Sequence, residues 1–141
     1  MSSSRPQWKN VQEFLEDISD LPEFVERPIP HVNSFGNFGN SPLKVAAVRG
    51  DTRAIQLLIS AGAEINAINE DGETALHHAI SQNHFEAAQL LLELGASTEI
   101  KNSFNMNPFE QISLFHGIDS RIVALATKIQ PNKTLQLTPR S

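Results

Sequence analysis

Histidine is the residue of this sequence best suited to do chemistry. Of its five histidines, His77, His78 and His84 lie close together, with His31 and His116 far off in the chain. A zinc site needs three or four ligands converging at fixed spacing, with a second set of groups to orient them. Neighbours on a helix point about 100° apart, so His77 and His78 do not converge on one ion. There is no cysteine to complete a ligand set, form a disulfide or act as a thiolate. No metal site is expected. Nucleophilic catalysis is equally unprovided for: the serines are scattered, and no G-x-S-x-G elbow occurs. Gly36-Asn37-Phe38-Gly39 lacks the lysine and following hydroxyl residue of a phosphate loop. The expectation is a non-enzymatic chain with no catalytic residue, no cofactor and no small-molecule substrate.

The bulk composition points the same way. The chain has 141 residues, 40% of them apolar and 19% charged, with a formal net charge of -5. That is enough apolar material for one folded unit. A net negative chain repels phosphate backbones, so no nucleic-acid partner is expected, whereas a protein with a basic surface is electrostatically favoured. Met1 to Asn10 lacks the apolar core of a secretory signal, and no apolar run approaches a membrane span. The location expected on these grounds is cytoplasmic, without membrane association.

The sequence also repeats itself. Ser41-Pro42-Leu43 returns as Thr74-Ala75-Leu76 and again as Asn107-Pro108-Phe109, in steps of 33 residues. Gly62-Ala63 returns as Gly95-Ala96, and Gly39 and Gly72 share a phase with Asn105. Within a period, Asp71-Gly72 signals a turn, and Thr74 caps a helix over about Ala75 to Gln82. A second helix runs from His84 to Leu94, burying Ala88, Leu91 and Leu92 and ending at Gly95. The first copy gives helices over Pro42–Arg49 and Thr52–Ala61, with Pro42 at a first-turn position that needs no N–H.

Thr74-Ala75-Leu76-His77-His78-Ala79 resembles the ankyrin T-P-L-H-x-A signature, and Ser41-Pro42-Leu43-Lys44-Val45-Ala46 is a looser match. Leu90-Leu91-Leu92-Glu93-Leu94-Gly95-Ala96 and Leu57-Leu58-Ile59-Ser60-Ala61-Gly62-Ala63 resemble the family's second-helix ending. The resemblance implies an all-α fold, an ankyrin-repeat solenoid of two well-formed repeats plus a degenerate third. The third copy has Glu110 and Ile112 in place of the signature His and Ala and lacks the closing Gly-Ala, as suits a terminal repeat. The resemblance further implies that His77 bonds the turn backbone of a neighbouring repeat and that His84 opens a second helix.

Trp8, Val11, Phe14, Leu15 and Ile18 recur at helical spacing, with acids between them. This amphipathic segment is expected to cover the open end of the first repeat, since an uncovered solenoid end invites aggregation. The organisation expected is a capping helix and linker over 1–35, repeats at 36–68, 69–101 and 102–130, and a tail over 131–141. Proteins of the resembled family bind partners on the concave face formed by the turn tips and first helices. Carried over by phase, the tips are Asn37, Phe38 and Asn40; Glu70, Asp71 and Glu73; and Ser103, Phe104 and Met106. Val45, Val48, Arg49, His78, Gln82, Gln111 and Phe115 continue that face on the helices. Two phenylalanines and a methionine at tips, beside three acids, have the composition of an interface. The functional expectation is one protein partner, sequestered or inhibited. A bacterial immunity protein that neutralises a basic toxin such as a nuclease fits this, and an adaptor linking two proteins is the second reading.

Overall fold

The computed structural model describes residues 8–24 and 31–129. The segment 25–30 of the expected linker and the tail over 131–141 lie outside the described residues. Regular structure among the described residues is helical throughout, in six α-helices and two short 3-10 segments. Helix α1 spans Val11–Ile18, and the Asn10 side chain caps it by accepting from the Glu13 N–H. Helix α2 spans Pro42–Arg49, capped by the Ser41 hydroxyl and ended by Gly50 at φ 68°. Helix α3 spans Thr52–Ser60 and is capped by the Asp51 carboxylate. Helix α4 spans Ala75–Ser81, one residue shorter than expected, and α5 spans Phe85–Glu93, shorter than expected by one residue at each end, where His84 and Leu94 are its caps. Asn83, at φ 64°, makes the turn between them.

The pairs α2/α3 and α4/α5 stack, α2 against α4 and α3 against α5. The third copy keeps this plan with one change. Its first helix is only a 3-10 segment, Glu110–Leu114, lying on α4, and its second is α6, Ser120–Ile129, lying on α5. The core repeats with the sequence. Leu43, Leu76 and Phe109 are buried at one phase, and Ala46, Ala79 and Ile112 at another, where small or compact side chains let the layers approach. Leu58 and Leu91 are fully buried on the second helices. Leu92, one position further round, is only half-buried, which narrows the expected stripe. Ile80 is buried, whereas its counterpart Ser113 is exposed.

Helix α1 packs on α2 and α3. Phe14 and Ile18 are fully buried, and Trp8 sits edge-on to Phe14 with ring centroids 5.4 Å apart. Trp8 precedes the helix rather than belonging to it. Its indole Nε1 donates to Asp51 Oδ2 at 2.7 Å, while Oδ1 of the same buried carboxylate accepts from the Ala54 N–H. Arg53 Nε in turn donates to the Trp8 carbonyl at 3.0 Å. The segment from Trp8 through α1 is thus joined to the start of α3 by polar as well as apolar contacts.

Candidate functional site

Between the helix pairs the chain throws out three finger-like turns in register. Each is closed at its base by one backbone bond: Gly36 N–H to the Asn40 carbonyl at 2.7 Å, Asn69 to Glu73 at 3.1 Å, and Asn102 to Met106 at 2.9 Å. In the second and third fingers an asparagine side chain shapes the loop. Asn69 Oδ1 accepts from the Asp71 and Glu73 N–H groups, and Asn102 Oδ1 from those of Phe104 and Met106. The first finger has Gly36 at that phase, because a Cβ there would lie 2.2 Å from the Glu23 carbonyl oxygen. Its tip is built differently: Phe38 (φ 64°) and Gly39 (φ 73°) are both left-handed.

Rungs tie the fingers together. The Glu70 N–H donates to the Phe38 carbonyl at 3.0 Å, and the Ser103 N–H to the Asp71 carbonyl at 2.9 Å. The Asn37 N–H makes the same bond to Glu23 at 2.8 Å, so residues 22–24 stand in for a preceding finger. The approach is close. A Cβ on Gly39 would meet Glu70 N at 3.2 Å, and one on Gly72 would meet Asn102 Cα at 3.2 Å. At the third finger the same phase carries Asn105, left-handed at φ 62°.

The residues expected on the binding face divide into three groups. At the tips, Phe38 and Phe104 are 70% and 72% exposed, and Asn37, Glu70, Asp71 and Ser103 also face solvent. Neither ring tucks against a neighbouring turn. Glu73, Met106 and His78 are half-buried along the junction of fingers and helices, and Gln82 is exposed at the end of α4. The remaining positions are structural or displaced. Asn40 is buried, its Oδ1 accepting from Asn69 Nδ2 at 3.2 Å. Gln111 is buried with its Nε2 donating to the His77 carbonyl at 2.7 Å, and Val45 belongs to the core. Arg49 turns toward the cap, 3.0 Å from Asp17 Oδ2 and above the Phe14 ring. Phe115 is exposed just past the 3-10 segment rather than on a helix, because the shortened first helix of the third copy ends before it.

The histidines are spoken for by the scaffold. His77 Nδ1 accepts from the Thr74 N–H at 3.1 Å, completing a capping box, and its Nε2 donates to the Met106 carbonyl at 3.0 Å. That is the turn-backbone bond to the neighbouring repeat which the resemblance implied. His84 opens α5 and donates from Nε2 to the Val48 carbonyl at 2.9 Å. His78 Nε2 lies 3.6 Å from Glu73 Oε1, yet burial, then the charges of Lys44 and His77, push its pKa down to about 4. At neutral pH it is an uncharged acceptor for Asn69 Nδ2 at 3.4 Å, not half of an ion pair. Burial lowers the pKa of His77 as well, against the opposing bond to Met106 and the charge of Glu73. Among the described residues no three histidine, cysteine or acidic side chains group to hold a metal ion.

Sequence reasoning missed one feature of this region. Phe35 and Ile68, which are 49% and 51% exposed, occupy one phase just before the fingers and line a shallow groove with Asn33, Glu64, Asn66 and Ala67. Asn33 and Asn66 hold its floor: Asn33 Oδ1 accepts from the Glu64 N–H, and Asn66 Oδ1 from the Ser97 N–H. The spacing of 33 between Phe35 and Ile68 was the available signal.

Residues 43–92 match the family profile described as ankyrin repeats (many copies). The chain is 33% identical over 90 residues to "Probable E3 ubiquitin-protein ligase XBOS32" of Oryza sativa subsp. japonica, covering 62% of this chain and 18% of that protein. It is 38% identical over 72 residues to "Ankyrin repeat domain-containing protein 40" of Mus musculus, covering 50% of this chain and 20% of the relative. It is 30% identical over 114 residues to "Ankyrin repeat and SAM domain-containing protein 6" of Rattus norvegicus, covering 79% of this chain and 13% of the relative. The chain therefore spans a fifth or less of the length of these relatives. Among the described residues, no helix is long and apolar enough to cross a membrane.

Proposed function

Because this chain is an ankyrin-repeat protein, we propose that it acts, without catalysis, by binding one protein partner across its finger tips and the adjoining face of α4. Ankyrin repeats are protein-interaction modules, and the exposed chemistry of these fingers is what supports the finer reading. Two phenylalanine rings stand free in solvent at the first and third tips, on either side of Glu70 and Asp71. Nothing in the scaffold needs those rings outside, and exposed aromatics beside charge are the composition of an interface centre. The acids favour a partner with a basic surface and oppose nucleic acid.

The reading we favour is that binding acts by covering the partner's own surface. The effect proposed is therefore sequestration or inhibition, in the cytoplasm, of one basic protein. An immunity role against a basic toxin such as a nuclease is its most specific form. Co-purification of the tagged chain with mass spectrometry of the bound protein tests this. A single partner at one-to-one stoichiometry, whose own activity falls on binding, supports it. Two partners held at once would replace it with the adaptor reading, which the separate Phe35/Ile68 groove favours by offering a second contact.

A further inference from the structure

The first finger breaks a local rule. Phe38 and Gly39 are both left-handed, and the Asn40 N–H bonds back to the Asn37 carbonyl at 3.4 Å. These are the features of a tight two-residue turn that strongly favours Asn, Asp or Gly at its first central position. Phenylalanine there places a Cβ against the following carbonyl, and a ring 70% exposed recovers no burial in exchange. The equivalent residues Asp71 and Phe104 have ordinary backbone angles, so the left-handed tip is peculiar to Phe38. Strain without a packing reason points to function.

Resting on the reading given above, we propose that Phe38 is a preset anchor. With Phe104 it takes a partner segment that has two apolar side chains on either side of a Lys or Arg, which meets Glu70 and Asp71. Charge complementarity selects this occupant. A second copy of the chain, paired about the middle finger, would bring Glu70 and Asp71 against their own equivalents. The geometry also sets a spacing. Two layers of packed helices, at roughly 10 Å each, separate the two rings by about 20 Å. An extended chain covers that in about six residues. The apolar side chains then belong at i and i+6, with the basic residue two or four places in, on the same face.

The test uses the full chain and needs no known partner. Thermal melts compare the wild type with Phe38→Gly and Phe38→Asn, and a displayed library of random 12-residue peptides is panned on the wild type. The proposal expects both variants to melt about 4 °C higher than the wild type. It also expects selected peptides to carry the apolar-basic-apolar spacing and to lose at least about tenfold in affinity for Phe38→Gly and for Phe104→Ala. Lower melting temperatures would show that the Phe38 ring packs, and would overturn it. So would acidic peptides, an absence of enriched peptides, or binding indifferent to both phenylalanines. In that last case, peptides lost on replacing His78 and Gln82 leave the finger-and-helix binding face standing without the anchors. Peptides indifferent to those changes too would sink both.

Discussion

Acid should destabilise this protein through His78 specifically. The ring is buried beside Lys44 and His77, and its pKa is pushed from the ordinary 6.5 to about 4. Between those two values the unfolded chain takes up a proton that the folded chain refuses. The neutral ring's contribution is therefore fully present above pH 6.5 and is lost as pH falls toward 4, below which the loss levels off. At about 1.4 kcal/mol per pH unit, the interval corresponds to about 3 kcal/mol, or 2 to 3 with local relaxation. His77 is shifted in the same direction and adds to the trend. Urea titrations at pH 7, 6, 5 and 4, followed by circular dichroism, give the stability at each pH. Carboxylates also titrate in this range, so the informative quantity is the difference between the wild type and His78→Gln. Glutamine does not titrate and keeps an acceptor near Asn69. The wild type should lose about 2–3 kcal/mol more than the variant between pH 7 and pH 4. Parallel curves would refute the reasoning, and with it the assignment of His78 as a neutral acceptor.

Three further outcomes are expected. Leu91→Ala, at a fully buried position on α5, should cost about 2–5 kcal/mol in urea titration, and a loss within error would mean that the helix phase is misassigned. Trp8→Phe leaves the buried Asp51 carboxylate without its indole donor and should cost about 1–3 kcal/mol by the same titration; an unchanged midpoint would mean that the cap is not held through this bond. Added zinc should leave the melting temperature where it was, since a ligand of the native state alone must raise it. A saturable rise abolished by His78→Ala would reinstate a metal site.

The repeats were legible because their period rests on few residues with fixed duties. Thr74 and His77 cap one helix, Gly39 and Gly72 admit the next finger's backbone, and the leucines fill the stripe. Each leaves a residue-type mark at a fixed phase. The proposed binding face was less legible because phase does not settle exposure. Asn40 and Gln111 share phases with Glu73 and His78, which are half-buried, yet they are buried outright: one bonds Asn69, the other the His77 carbonyl. Arg49 was assigned by its place on α2, but Asp17 comes from the cap, and pairing across 32 positions has no periodic signature. The left-handed backbone of Phe38 was also out of reach. Phenylalanine is not a residue type that signals a positive φ, so nothing at that position marks the turn in the sequence.

Asn105 bears on attempts to lengthen this protein. A fourth finger laid on the third at the spacing of the first two would bring its backbone to about 3.2 Å from the Asn105 Cβ, the approach seen at Gly39 and Gly72. A consensus repeat grafted after residue 129 would therefore have to give by a few tenths of an ångström at this point unless position 105 were first returned to glycine. Ser113 is polar and exposed where its counterpart Ile80 is apolar and buried. Asn105→Gly relieves that approach, and Ser113→Ile restores the apolar side chain that is buried one layer below.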